Sequence, residues 1–97
     1  MNLWQYTVIS AIKEQVSCNL GGEAVILNLK NGSYYGLDVV GARIWGLIQE
    51  PKTLSEVCDA ILREFDVERA RCERDLWELV QNLSREGLVE VKDASVP

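Results

Sequence analysis

Two turn signals divide residues 16–37 into three short runs, and this spacing constrains the fold more than any other feature of the chain. VSCNL (16–20) alternates apolar and polar residues, Gly21-Gly22 follows, EAVILNL (23–29) comes next, and Asn31-Gly32 precedes SYYGL (33–37). Short alternating runs joined by glycine-bearing pairs read as an antiparallel meander of three strands. Successive strand side chains point to opposite faces, so the adjacent Tyr34 and Tyr35 cannot enter the same core.

The second turn admits two registers. A two-residue Asn31-Gly32 turn places Leu29 opposite Tyr34. A three-residue Lys30-Asn31-Gly32 loop with a glycine bulge places Leu29 opposite Ser33 and Leu27 opposite Tyr35. The bulged loop sorts the faces better and is the register read here. Val16, Cys18, Leu20, Val25, Leu27, Leu29, Tyr35 and Leu37 then share the core face, with Ala24, Ile26, Asn28, Tyr34 and Gly36 on the other.

The second half reads as helices. Residues 39–50 carry Val40, Ile44, Leu47 and Ile48 at helical spacing beside Trp45, with Asp38 as N-cap and Pro51 as stop. Thr53-Leu54-Ser55-Glu56 is a capping box. Behind it Leu54, Val57, Cys58, Ile61, Leu62 and Phe65 form a one-sided stripe. A third helix over 68–86 places Cys72, Leu76, Leu79, Val80 and Leu83 on one narrow face, with Trp77 and Asp75 on opposite flanks. Gly87 ends it, and LVEV (88–91) reads as a closing strand. The first twelve residues are apolar but irregular and read as extended chain, and DASVP (93–97) reads as a frayed tail. The expected fold is α+β: a winged helix-turn-helix-like single domain over 1–97, core about 14–92, with an N-terminal three-stranded antiparallel sheet packed on three helices.

Composition narrows the function. The chain has no histidine, and Cys18, Cys58 and Cys72 are widely spaced with no CxxC pair. That argues against zinc and against histidine-dependent acid–base chemistry, and the cysteines read as small apolar side chains in a reducing cytoplasm. No phosphate loop or nucleophile motif occurs, and the carboxylates read as solvated helix faces and i,i+4 pairs such as Arg71–Asp75 and Arg74–Glu78. The expectation is a protein that is not an enzyme and holds no cofactor. The start lacks a basic n-region and a cleavage site, and no apolar run is long enough to span a membrane. The net charge is −5, and Arg69, Arg71 and Arg74 are interleaved with Glu68, Glu73 and Asp75. A nucleic-acid footprint needs a basic face, so a winged-helix DNA-binding regulator is the alternative reading and not the preferred one.

Binding is the better prospect. SYYGL carries no charge and no proline, so as an edge strand it invites another strand. Tyr34 either lines a groove for that strand or sits at the surface. A dimer through two such strands across a two-fold axis is a further reading.

The run GEAVILNLKNGSYYGLDVVGARIWGLI and the later DLWELVQNLSREGLVEV resemble the PqqD-like family over roughly residues 14–92. The resemblance implies a recognition element for ribosomally made, modified peptides. Such a domain holds the leader segment of a precursor as an added strand and presents it to a partner leader peptidase or modifying enzyme. A stand-alone element of this kind is similar to those of lasso-peptide pathways or to PqqD itself. The implied peptide-binding residues are Ser33, Tyr34, Tyr35, Gly36 and Leu37 on the strand, and Asp75, Leu76, Leu79, Val80 and Leu83 on the third helix. Trp77 is a peptide anchor, a dock for the partner enzyme, or partly exposed packing. The implied partners are peptide and enzyme, without nucleic acid or membrane, and the protein is a monomer or weak dimer.

Overall fold

The computed structural model of the chain describes residues 3–93. A 3-10 turn at Leu3–Gln5 leads into strand β1 (Thr7–Ala11), followed by β2 (Gln15–Leu20), β3 (Glu23–Asn28) and β4 (Tyr34–Leu37). Helix α1 (Val39–Leu47), the two-residue strand β5 (Lys52–Thr53), α2 (Leu54–Glu64), α3 (Arg69–Arg85) and β6 (Val89–Asp93) complete the order. The fold is α+β, with three α-helices and two antiparallel three-stranded sheets among the described residues.

One sheet has the order β2-β3-β4 and is the meander expected from the turn spacing. The other has the order β5-β1-β6 and was not expected. The first twelve residues are therefore not plain extended chain. Residues 7–11 form the central strand of that second sheet, pairing Ile9 with Val91 and with Lys52. Asp93, placed in the frayed tail by sequence, ends β6, and the rest of that tail lies outside the described residues.

The register of the meander differs from the bulged-loop reading. Tyr34 lies opposite Leu27, Tyr35 opposite Ile26 and Leu37 opposite Ala24. The connection is one residue longer than the bulged loop, with the Asn28 amide donating to the Ser33 carbonyl at 2.9 Å and the Gly32 amide to the Asn28 carbonyl at 2.8 Å. A one-residue shift exchanges faces. Ala24, Ile26 and Asn28 accordingly point into the core with Leu37 and the half-buried Tyr35. Val16, Cys18, Leu20, Val25, Leu27 and Leu29, assigned to the core by sequence, lie on the outer face with Tyr34.

Asn28 explains this outcome. Its side-chain amide donates to the Glu86 carbonyl at the end of α3 at 2.9 Å, and its side-chain oxygen accepts the Lys30 amide at 2.9 Å. A buried amide satisfied on both sides ties the β3–β4 loop to the α3 terminus at little desolvation cost. Gly87 follows with φ +70, the left-handed conformation that lets the chain turn from α3 into β6.

The helices follow their sequence signals. The Asp38 side chain accepts from the Gly41 amide at 2.8 Å, and Thr53 and Glu56 form the reciprocal capping box. Leu54, Val57, Cys58 and Ile61 of α2 meet Cys72, Leu76, Val80 and Leu83 of α3 and Ile44, Trp45 and Ile48 of α1's buried side in one cluster. Ile9 and Ile26, from the two sheets, are fully buried in it.

Replacing Asn28 with Ala strands the Glu86 carbonyl and should lower unfolding free energy by about 1–3 kcal/mol, read as a shift in the urea midpoint. Glu56 titrates below its usual range, chiefly through the Thr53 backbone hydrogen bond, and so does Glu64 through its hydrogen bond from Arg43. Their contribution is present above the unfolded value of 4.5 and is lost as pH falls through the folded values. The double variant Glu56→Gln/Glu64→Gln should therefore lose less stability than the parent between roughly pH 6 and pH 3, measured by urea unfolding at each pH.

Candidate functional site

β4 is an edge of its sheet. In an antiparallel pair, residues alternate between those that exchange hydrogen bonds with the partner strand and those whose N–H and C=O point away. The Asn28–Ser33 bond sets this parity. The Ser33 carbonyl and the main-chain groups of Tyr35 and Leu37 turn toward β3, whereas Tyr34 and Gly36 present theirs to the open edge. Four groups, two N–H and two C=O, thus face outward along β4.

Beside that edge lies a groove of about 440 Å³. Its strand wall is Tyr35, Gly36 and Leu37, and its floor includes Ile44 and Ile61. Its helix wall is Arg71, Cys72, Asp75, Leu76, Glu78, Leu79 and Asn82 of α3. Spacing on α3 puts residues 72, 75, 76, 79 and 82 on one side of the helix, which is why one face both packs the core and borders the groove. Arg71 and Asp75 form an i,i+4 ion pair at 3.5 Å on the rim. The groove is apolar at its base, where Leu76 is fully buried, and charged at its lip.

Of the residues singled out by sequence, this groove brings together Tyr35, Gly36, Leu37, Asp75, Leu76 and Leu79. Tyr34 stands on the opposite face of the sheet and is 71% exposed. Ser33 lies in the turn, where its hydroxyl donates to the Asn31 side chain at 2.7 Å. Val80 and Leu83 are core residues. Trp77 lies across α3 from the groove and meets Trp4 in a tilted ring pair, with centroids 6.5 Å apart and planes at 40°. Arg71, Glu78, Asn82, Val67 and the α1 residues Val40, Gly41 and Ile44 line the groove but were not singled out. The helical period could have found Arg71, Glu78 and Asn82, since each lies three or four residues from Asp75 or Leu79.

Cys58 and Cys72 meet beneath the groove with their sulfurs 3.6 Å apart. Burial, followed by the neighbouring Cys72, pushes the Cys58 thiol up to about 12, so it remains protonated and unreactive near neutral pH. Cys18 is exposed on β2. No cluster of metal-ligating side chains occurs among the described residues.

An open sheet edge flanking a helix-walled groove in a small α+β domain is the geometry that addition of a peptide strand requires. Residues 23–89 match the family described as Coenzyme PQQ synthesis protein D (PqqD), and the chain belongs to that family. A search of curated proteins gave no match. Among solved structures, TbiB1 in complex with the TbiA(beta) leader peptide is similar at 41% identity and TM-score 0.76, covering 84% of this chain and 94% of that one. A lasso peptide synthetase B1 complexed with the leader peptide shares the fold at 24% identity and TM-score 0.72, covering 84% and 96%.

In native protein near pH 8, a thiol reagent such as iodoacetamide should label Cys18 alone. All three cysteines should label in denaturant, as read by intact mass. Rapid native labelling of Cys58 would contradict its burial.

Proposed function

We propose that the chain binds the leader segment of a ribosomally synthesised precursor peptide as an added strand on β4 and presents it to a separate leader peptidase or modifying enzyme. The reading rests above all on the outward-facing Tyr34 and Gly36 main chain beside the α3 groove, together with membership of the PqqD family and the likeness to TbiB1. The same reading makes the protein a non-enzymatic carrier that works in the cytoplasm. No described helix is long and apolar enough to cross a membrane.

Energetics divide the labour. The four outward groups supply up to four main-chain bonds at about 0.5–1.5 kcal/mol each. Ordering a flexible leader costs about 2–5 kcal/mol or more, before lost translational freedom is counted. Main-chain bonds therefore align the peptide but do not hold it. Affinity comes from side chains that enter the groove, at about 1.5–3 kcal/mol for each fully buried apolar anchor. In an added strand every second residue points to the α3 side, so two anchors spaced by two residues would meet Tyr35, Leu76 and Leu79. Tethering the leader beside an enzyme then raises its local concentration, which accelerates processing without any chemistry by the carrier. The acidic side chains interleaved along α3 speak against phosphate binding and leave the DNA-regulator reading without support.

A fluorescent TbiA(beta) leader provides the binding probe, with anisotropy as readout. Gly36→Pro removes an outward N–H from an edge strand, where proline is tolerated, and a Cβ at Gly36 meets nothing within 4 Å. This variant should stay folded and bind at least tenfold more weakly, an effect on the order of 1.4 kcal/mol. Leu79→Asp should lose a similar amount, whereas Tyr34→Ala should stay within about threefold because its side chain faces away from the groove. Undiminished binding by a folded Gly36→Pro protein would overturn strand addition on β4.

A further inference from the structure

The meander has a second free edge. β2 pairs only with β3 in its sheet, and Val16, Ser17, Cys18, Asn19 and Leu20 are all exposed. Natural edge strands are usually blunted by charge, proline or short length. This one runs for six residues without a charge or a proline. It is longer than β4, which spans four residues.

Main-chain parity shows what the edge offers. Gly21 and Gly22, at φ 62 and 91, form a two-residue hairpin turn that makes Leu20 and Glu23 the closing pair. The Leu29 amide donates to the Glu14 carbonyl at 3.0 Å, which continues the same alternation. Val16, Cys18 and Leu20 therefore turn their N–H and C=O toward β3. Ser17 and Asn19 present theirs outward, the Asn19 carbonyl meeting only the Cys18 thiol at 3.9 Å among the described contacts.

We propose that β2 pairs antiparallel with β2 of a second copy across a two-fold axis at Cys18, joining the two meanders into a six-stranded sheet. In this register Ser17 and Asn19 exchange main-chain bonds with Asn19 and Ser17 of the partner, as their outward parity requires. Val16, 55% exposed, faces the partner's Leu20, which is 64% exposed, and Cys18 faces the partner's Cys18. These are the non-hydrogen-bonded positions, where side chains approach most closely. Apolar side chains meet apolar ones on the outer face, and Ser17 meets Asn19 on the inner face. Moving the axis to Ser17 would set Glu14 against Leu20, and moving it to Asn19 would set Val16 against Gly22. The sequence thus complements itself best about Cys18.

A second copy suits this edge better than a peptide. Both faces of β2 are exposed, so no side wall exists to anchor a peptide as α3 does at β4. The contact is small, which places it among weak, concentration-dependent associations. It leaves β4 and its groove open, so it stands independently of leader binding.

Sedimentation equilibrium of the full chain from about 1 μM to 1 mM should show a monomer–dimer equilibrium with a midpoint on the order of 100 μM. Brief oxidation by air with copper phenanthroline at high concentration should give a Cys18–Cys18 linked dimer, absent from Cys18→Ser. Ser17→Pro removes an outward N–H and should be monomeric throughout. Val16→Lys should weaken the dimer, and Val16→Lys combined with Leu20→Glu should restore it, which tests the register at the facing positions in variants that keep the hairpin. A chain monomeric to 1 mM without a Cys18 cross-link would overturn the proposal. So would a dimer indifferent to the introduced charges and to a folded Ser17→Pro, or one dispersed by leader peptide, since that would place the contact at β4.

Discussion

The buried amide of Asn28 decides which way the meander faces. It sits at the end of β3, bonded to the last turn of α3 through the Glu86 carbonyl and to its own loop through the Lys30 amide. An unsatisfied buried amide would be costly, so Asn28 can point inward only where those partners exist. Because strand side chains alternate, that one orientation carries Ile26 and Ala24 into the core and places Val25 and Leu27 outside. Through the β3–β4 pairing it also turns Tyr35 toward the helices and Tyr34 away.

The two edges of the meander inherit their properties from that choice. At β4 the inward face meets α3, so an open row of main-chain groups acquires a groove wall on one side. At β2 the sheet extends beyond the helices and both faces remain exposed. An edge with a wall can select a peptide by its side chains, whereas an edge without one can match only another flat edge. The same sheet thereby offers two kinds of strand pairing without competition between them. In the second sheet the central strand β1 is closed on both sides by β5 and β6.

α3 serves two purposes with one amphipathic period. Leu76, Val80 and Leu83 are buried in the core, and Asp75, Leu79 and Asn82 border the groove a small rotation away. Its far side carries Trp77, held against Trp4 at the start of the chain. The N-terminal turn and the groove are thus joined through one rigid helix, and the Cys58–Cys72 contact packs that helix onto α2 directly beneath the groove.

Local rules in the sequence determined the helices, their caps and the existence of the meander, because capping boxes, helical stripes and glycine turns act within a few residues. The family likeness, and with it six of the groove residues, was legible for the same reason: strand, turn and helix positions are locally encoded. Tertiary structure alone decided the β3–β4 register, the face assignment and the second sheet. Both faces of β3 carry apolar side chains, so alternation could not say which was inner, and the choice depended on Glu86, fifty-eight residues from Asn28 along the chain. β1 found its place through β5 and through β6, the latter near the opposite end of the chain, partners that no local pattern in residues 7–11 announces.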